Sequence, residues 1–163
     1  MAGTVVDTDR GPRPIEAVRE GMRVRDADGQ LQVVRRMMKR SYAADVTEVF
    51  PDGLVFAPRD ALGNCDDLFI LPNQPLRFEG SLVMADALAG HGAVFRAIPV
   101  DGITFLRPIF ERAATLKAAG ALEFVCPDGN GGVGGIRVGP HGGAALVRRL
   151  AGPRAQPFPM PAA

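Results

Sequence analysis

The chain has 163 residues, 47% of them hydrophobic and 23% charged, with 19 basic against 18 acidic residues and a formal charge of +1. That length suits one domain, or one domain with a tail, burying roughly two thirds of the unfolded surface on folding. So even a balance excludes the basic field that gathers nucleic acid or an anionic membrane, and a composition close to the globular average excludes wholesale disorder.

The opening MAGTVVDTDRG has neither the basic start nor the apolar stretch of a secretion signal, and no apolar run approaches the roughly 18 residues that span a bilayer. Cytoplasmic location is the default expectation. From Thr4 to about Val125, short apolar runs are cut by Gly, Pro and Asp, the pattern of many short strands joined by tight turns. The expected class is all-β with one or two short helices.

In chain order the predicted strands are Thr4 to Val6, Leu31 to Met38, Val46 to Phe50, Leu54 to Ala57, Leu68 to Leu71, Leu76 to Phe78, Leu82 to Met84, Val94 to Ile98 and Ile103 to Phe105. Asp28-Gly29, Asp52-Gly53, Glu79-Gly80 and Asp101-Gly102 mark turns between them, because glycine accepts the positive φ such turns require. Single helical turns are predicted at Pro14 to Arg19, opened by a favourable early proline, and at Ala85 to Ala89. Arg112 to Phe124 (RAATLKAAGALEF) is rich in helix formers, and propensity alone makes it a helix closed by Gly120.

Beyond Cys126 the composition changes to glycine and then to proline. The core domain is therefore placed at residues 1–127 and a Gly/Pro-rich tail at 128–163, with a short amphipathic helix at 144–150 (AALVRRL). The basic run Arg35, Arg36, Lys39 and Arg40, interleaved with Met37 and Met38, reads as a solvated strand face. Cys65 and Cys126 lack the spacing of a zinc or redox motif, and their pairing is open. His91 and His141 lie in glycine-flanked loops and are too few for a metal site. No glycine-rich loop leads from a strand into a helix, so no cofactor is implied.

Three blocks in order carry a resemblance. Gly3 to Gly29 (GTVVDTDRGPRPIEAVREGMRVRDADG), Ala61 to Leu88 (ALGNCDDLFILPNQPLRFEGSLVMADAL) and Ile103 to Gly129 (ITFLRPIFERAATLKAAGALEFVCPDG) together resemble the bacterial Hint (Hedgehog/intein) domains. Met22 stands where that family usually has Asp. The resemblance implies a horseshoe of curved strands with pseudo-twofold symmetry, and it implies that Ile109 to Ala118 is a strand with a turn at Ala119-Gly120, tertiary pairing overriding helix preference. Family members often belong to exported proteins.

Family chemistry begins when a Cys or Ser attacks the preceding peptide carbonyl while a His donates a proton to the departing nitrogen. Aligned on Gly3-Thr4, the family nucleophile falls two residues ahead of Met1. The family's Ser-Pro-x-His reads Leu71-Pro72-Asn73-Gln74, two further histidines fall on Arg107 and Ala113, and the acid after the second falls on Ala114. No catalytic position is intact in this reading. A glutamine amide holds geometry but does not cycle a proton near neutral pH.

The resemblance thus implies a degenerate Hint module, not an enzyme, acting by structure or by binding a protein partner or its parent polypeptide. Its expected contact cleft is Thr4, Asn73, Gln74 and Arg107. The plain alternative has Asn73 and Gln74 satisfying backbone groups in a turn and Arg107 paired with a surface acid such as Glu111. Two other readings stand beside it: an active self-processing domain using a nucleophile outside the chain, with Cys65, Asp66 or Asp67 in an unorthodox role, and an unrelated small β-barrel that binds a ligand. Oligomeric state is not legible.

Overall fold

In the computed structural model, which describes residues 4–43, 46–78, 81–126, 128 and 136–138, the first forty residues form strands wherever apolar side chains alternate with polar ones. In chain order these are β1 (Val5–Thr8), β2 (Gly11–Pro14), β3 (Arg23–Arg25) and β4 (Leu31–Tyr42). The middle of the chain supplies β5 (Leu54–Ala57), β6 (Leu68–Ile70), β7 (Pro75–Phe78), β8 (Ser81–Met84) and β9 (Phe95–Ala97). Then come β10 (Ile103–Phe110), β11 (Ala114–Ala118), β12 (Leu122–Cys126) and β13 (Ile136–Val138).

They build three open sheets, ordered β10-β4-β3-β1-β2, β11-β12-β7-β8-β13 and β6-β5-β9. Every pairing is antiparallel except β13 on β8. The class is all-β, and because no sheet of the described residues closes on itself, the small-barrel reading is set aside. Ile136–Val138, assigned to the tail on composition, adds a strand to the second sheet. The turn expected at Glu79-Gly80 and the helix expected at 144–150 lie outside the described residues.

Two expectations are corrected. Val46 to Phe50 is not a strand: Val46–Val49 is one turn of α-helix, α1, continued by the Phe50 amide donating to the Val46 carbonyl at 2.8 Å. Its β-branched residues favour extended chain. The helical turn instead brings Val46 and Phe50, four apart, onto one side, where Val46 is buried with Tyr42 and Leu54, and the Phe50 ring stands edge-on to Tyr42 at 5.5 Å.

Nor is Ile109 to Ala118 one strand. β10 ends at Phe110 after a register shift, the chain bends at Glu111 and Arg112, and β11 starts at Ala114 in the other sheet. The bend is the change of sheet. Beyond it β11 and β12 form a hairpin, as the resemblance implied and helix propensity did not. Its turn uses Ala119 (φ 51°) and Gly120 (φ 91°); a Cβ on Gly120 would stand 2.6 Å from the Gly63 carbonyl oxygen, so only glycine lets these two loops meet. The 3-10 turns Ile15–Ala17 and Ala85–Leu88 fall where single helical turns were expected.

Burial is divided among three clusters. One packs β5, β6, β7 and β8 with Leu62, Leu88 and Leu122; a second packs β1, β3 and β4 against β10, β11 and Cys126; a small third surrounds Tyr42. Each fully buried Leu or Val contributes roughly 1.5–3 kcal/mol. Asn64, fully buried, holds its loop by accepting from the Leu62 amide at 2.9 Å and donating to the carbonyls of Pro58 at 2.9 Å and Asp66 at 2.7 Å.

Polar contacts join the first sheet to the second. The Ala27 amide donates to the Thr115 carbonyl at 2.6 Å. Arg77 on β7 donates from Nε to Glu123 at 2.7 Å and from its two terminal nitrogens to the Asp28 carboxylate at 2.9 and 3.0 Å. Those hydrogen bonds hold the Asp28 carboxyl below its usual range. A lowered folded value means the clamp contributes above the ordinary carboxylate pKa and is lost as pH falls through the lowered one. In Arg77→Met, the Asp28 titration followed by carboxyl-carbon NMR moves up to the ordinary carboxylate range; an unmoved titration would show that Arg77 does not grip the β3–β4 turn in solution.

Candidate functional site

Antiparallel pairing of β4 with β10 sets Met38 opposite Arg107, Arg40 opposite Phe105 and Tyr42 opposite Ile103. Since side chains alternate faces along a strand, Met38, Arg40 and Tyr42 share a side with Phe105 and Arg107. That side borders a cavity of about 170 Å³. Its remaining wall comes from Thr4 and Val6 at the start of the chain, from Leu68 to Leu71 with Asn73 and Gln74, and from Leu116, Phe124 and Cys126 of the β11–β12 hairpin.

Of the positions singled out in the sequence, the fold brings Thr4, Leu71, Asn73, Gln74 and Arg107 together on this wall. Ala113 and Ala114 are not on it: Ala113 is exposed at the bend between sheets, and Ala114 is buried at the start of β11. Cys65, Asp66 and Asp67 lie exposed in another loop, where the Cys65 thiol contacts Asp66 at 3.6 Å. Both cysteines are free, Cys65 exposed and Cys126 buried. His91 is half-buried and sits in a bridge with Val94, off the wall, and His141 lies outside the described residues.

Gln74 is buried. Its side-chain nitrogen donates to the carbonyls of Pro75 and Val125, both at 2.9 Å, and its backbone carbonyl accepts from the Ala85 amide. The side chain therefore ties β7 to the end of β12. Asn73 is exposed in the adjoining turn.

Arg107 does not pair with Glu111, which instead meets Arg35 at 2.8 Å on the surface and is held below its usual pKa by that contact. Glu111 stands at the bend, on the far side of the Ile109/Phe110 register shift. Arg107 points a terminal nitrogen at the Met38 sulfur, 3.5 Å away, and its Nε is buried without a partner. Arg35, Arg36 and Lys39 of the basic run on β4 are exposed as expected, while Arg40, also exposed, borders the cavity.

Cys126, Tyr42, Met38 and Phe105 are wall residues that sequence reasoning did not single out. Alternation along β4 and β10 was the available signal, and it identifies a shared face only once their register is known. Burial pushes the Cys126 thiol up to about 12 despite the opposing pull of the Arg107 charge, leaving a protonated, weakly nucleophilic sulfur at neutral pH. Among the described residues no His, Asp or Glu lines the cavity, and no three His, Cys, Asp or Glu side chains come together as metal ligands.

The family model described as Hint domain matches residues 1–124. Among solved structures, the solution structure of a bacterial intein-like domain from Clostridium thermocellum is similar at 15% identity, over 78% of this chain and 96% of that one, with a TM-score of 0.48. No curated protein sequence matches.

Two outcomes are expected here. Gln74→Leu orphans two buried carbonyls and lowers unfolding free energy by about 2–4 kcal/mol in denaturant titration; a change below about 0.5 kcal/mol would remove its role as a tie. For Cys126 the folded pKa lies above the unfolded 9.0, so its contribution is complete below pH 9 and declines as pH rises toward about 12. Between those values wild type loses up to about 1.4 kcal/mol per pH unit relative to Cys126→Ala, and equal slopes for the two proteins would show the thiol to be solvated.

Proposed function

The chain belongs to the Hint domain family, and from that premise we propose that it is a Hint-type domain without self-processing activity, working as a structural or binding module whose cleft receives a protein partner or the polypeptide to which it is joined. The observation that carries this reading is the commitment of Gln74. At the position where the family's proton-donating His is expected, both amide hydrogens are spent on main-chain carbonyls. A tie of this kind supports the shape of the cleft and passes no proton.

The surroundings support the same reading. Acyl transfer from a peptide bond needs a group that gives up a proton to the departing nitrogen, work done near neutral pH by His or a tuned carboxyl. Neither residue type is among those on the described wall, Leu71 occupies the hydroxyl position, and the one thiol there, Cys126, is held protonated by burial. Arg107, at a further His position, supplies a fixed cation in place of a proton shuttle.

A reporter protein fused ahead of Met1, with Cys placed two residues before it, tests this directly. The fusion is expected to stay full length through overnight incubation with dithiothreitol or hydroxylamine. A released reporter band under either nucleophile would establish processing and overturn the reading in favour of a domain that takes its nucleophile from upstream.

A further inference from the structure

The cavity is roomy and most of its wall is apolar. Its volume of about 170 Å³ is slightly above that of a dry engineered cavity, roughly 150 Å³, that accepts benzene. Ile70, Leu71, Phe105, Leu116 and Phe124 supply much of the apolar lining.

Two residues of this wall each bury a donor that has no acceptor. Tyr42 is 6% exposed, and its hydroxyl is buried with no hydrogen-bond partner. The Arg107 Nε is buried in the same condition, and the contact of its terminal nitrogen is a thioether, a weak acceptor. Native folds seldom leave buried donors unmatched, because each such group loses its hydration without return.

The charges on the wall specify the sign of what it can hold. Arg40 and Arg107 line the cavity with no Asp or Glu, and neither forms an ion pair among the described residues. A carboxylate matches the planar guanidinium better than any neutral acceptor and displaces a sulfur contact readily. A volume of about 170 Å³ suits a body of about six carbons.

We propose that this cavity binds a small monocarboxylate with an apolar body of about six carbons, its carboxylate on Arg107 and its carbon chain on the apolar wall. The assignment rests on reading the cleft as a binding surface. Selectivity comes from two features together: the guanidinium rejects neutral molecules, and the small apolar void rejects hydrated inorganic anions.

The probe is hexanoate, titrated into the full chain. Tyr42 is the chain's one tyrosine and there is no tryptophan, so intrinsic fluorescence reports from the cavity wall itself. A saturable single-site change is expected, with a Kd between roughly 0.1 and 10 mM, as suits a ligand of fewer than about ten heavy atoms, and with a matching calorimetric isotherm. Neutral 1-hexanol binds at least about tenfold more weakly, and Arg107→Met weakens hexanoate by about tenfold or more while leaving 1-hexanol unchanged.

Thermal unfolding verifies that Arg107→Met is folded; should it fail, Arg107→Lys keeps the charge without the planar fork, and a several-fold loss is expected there. No saturable response up to roughly 50 mM hexanoate, well beyond what a ligand of this size needs, overturns the proposal. So does equal affinity for 1-hexanol, or hexanoate binding indifferent to position 107. These failures leave an uncleaved reporter fusion standing, whereas a cleaved fusion defeats the underlying reading of the cleft.

Discussion

The ladder between Leu31–Tyr42 and Ile103–Phe110 is the constraint on which the rest of this structure depends. It joins parts of the chain separated by the whole of the middle segment, and its register decides which alternate residues face inward. A slip of one residue would put Met38 and Tyr42 on the face opposite Arg107. Held as it is, the ladder closes a wall against the first residues of the chain, the turn that carries Asn73 and Gln74, and the β11–β12 hairpin, so the cavity follows largely from strand pairing.

Around that wall the polar groups are arranged for rigidity. Gln74 ties β7 to β12, Asn64 gathers the carbonyls of its own loop, and Arg77 bridges the two larger sheets through Glu123 and Asp28. Each spends its hydrogen-bonding capacity on the protein itself. Arg107 and Tyr42, both on the cavity wall, differ, since each buries a donor with no acceptor.

The same contrast bears on chemistry. A cleft that moves protons needs groups whose charge changes near neutral pH, and low dielectric surroundings can tune His or carboxyl side chains for that work. Here burial acts on a thiol instead and drives it away from ionisation. The charge that is present, on Arg107, is fixed. An apolar wall with a fixed cation favours holding an anion over transferring a proton.

Local sequence determined the all-β class, the turns at Asp28-Gly29, Asp52-Gly53 and Asp101-Gly102, and the single helical turns near Ile15 and Ala85, because short periodic runs and glycine punctuation act over a few residues. Tertiary structure decided what local preference misjudged. Val46–Val49 coils because its burial with Tyr42 and Leu54 outweighs β-branching, and Ala114–Ala118 extends because Leu122–Cys126 offers it a partner. Only folding placed Tyr42, Met38 and Cys126 beside Arg107 and left Ala113 and Ala114 off the cavity wall, since register between distant strands arises from long-range packing that no window of sequence contains.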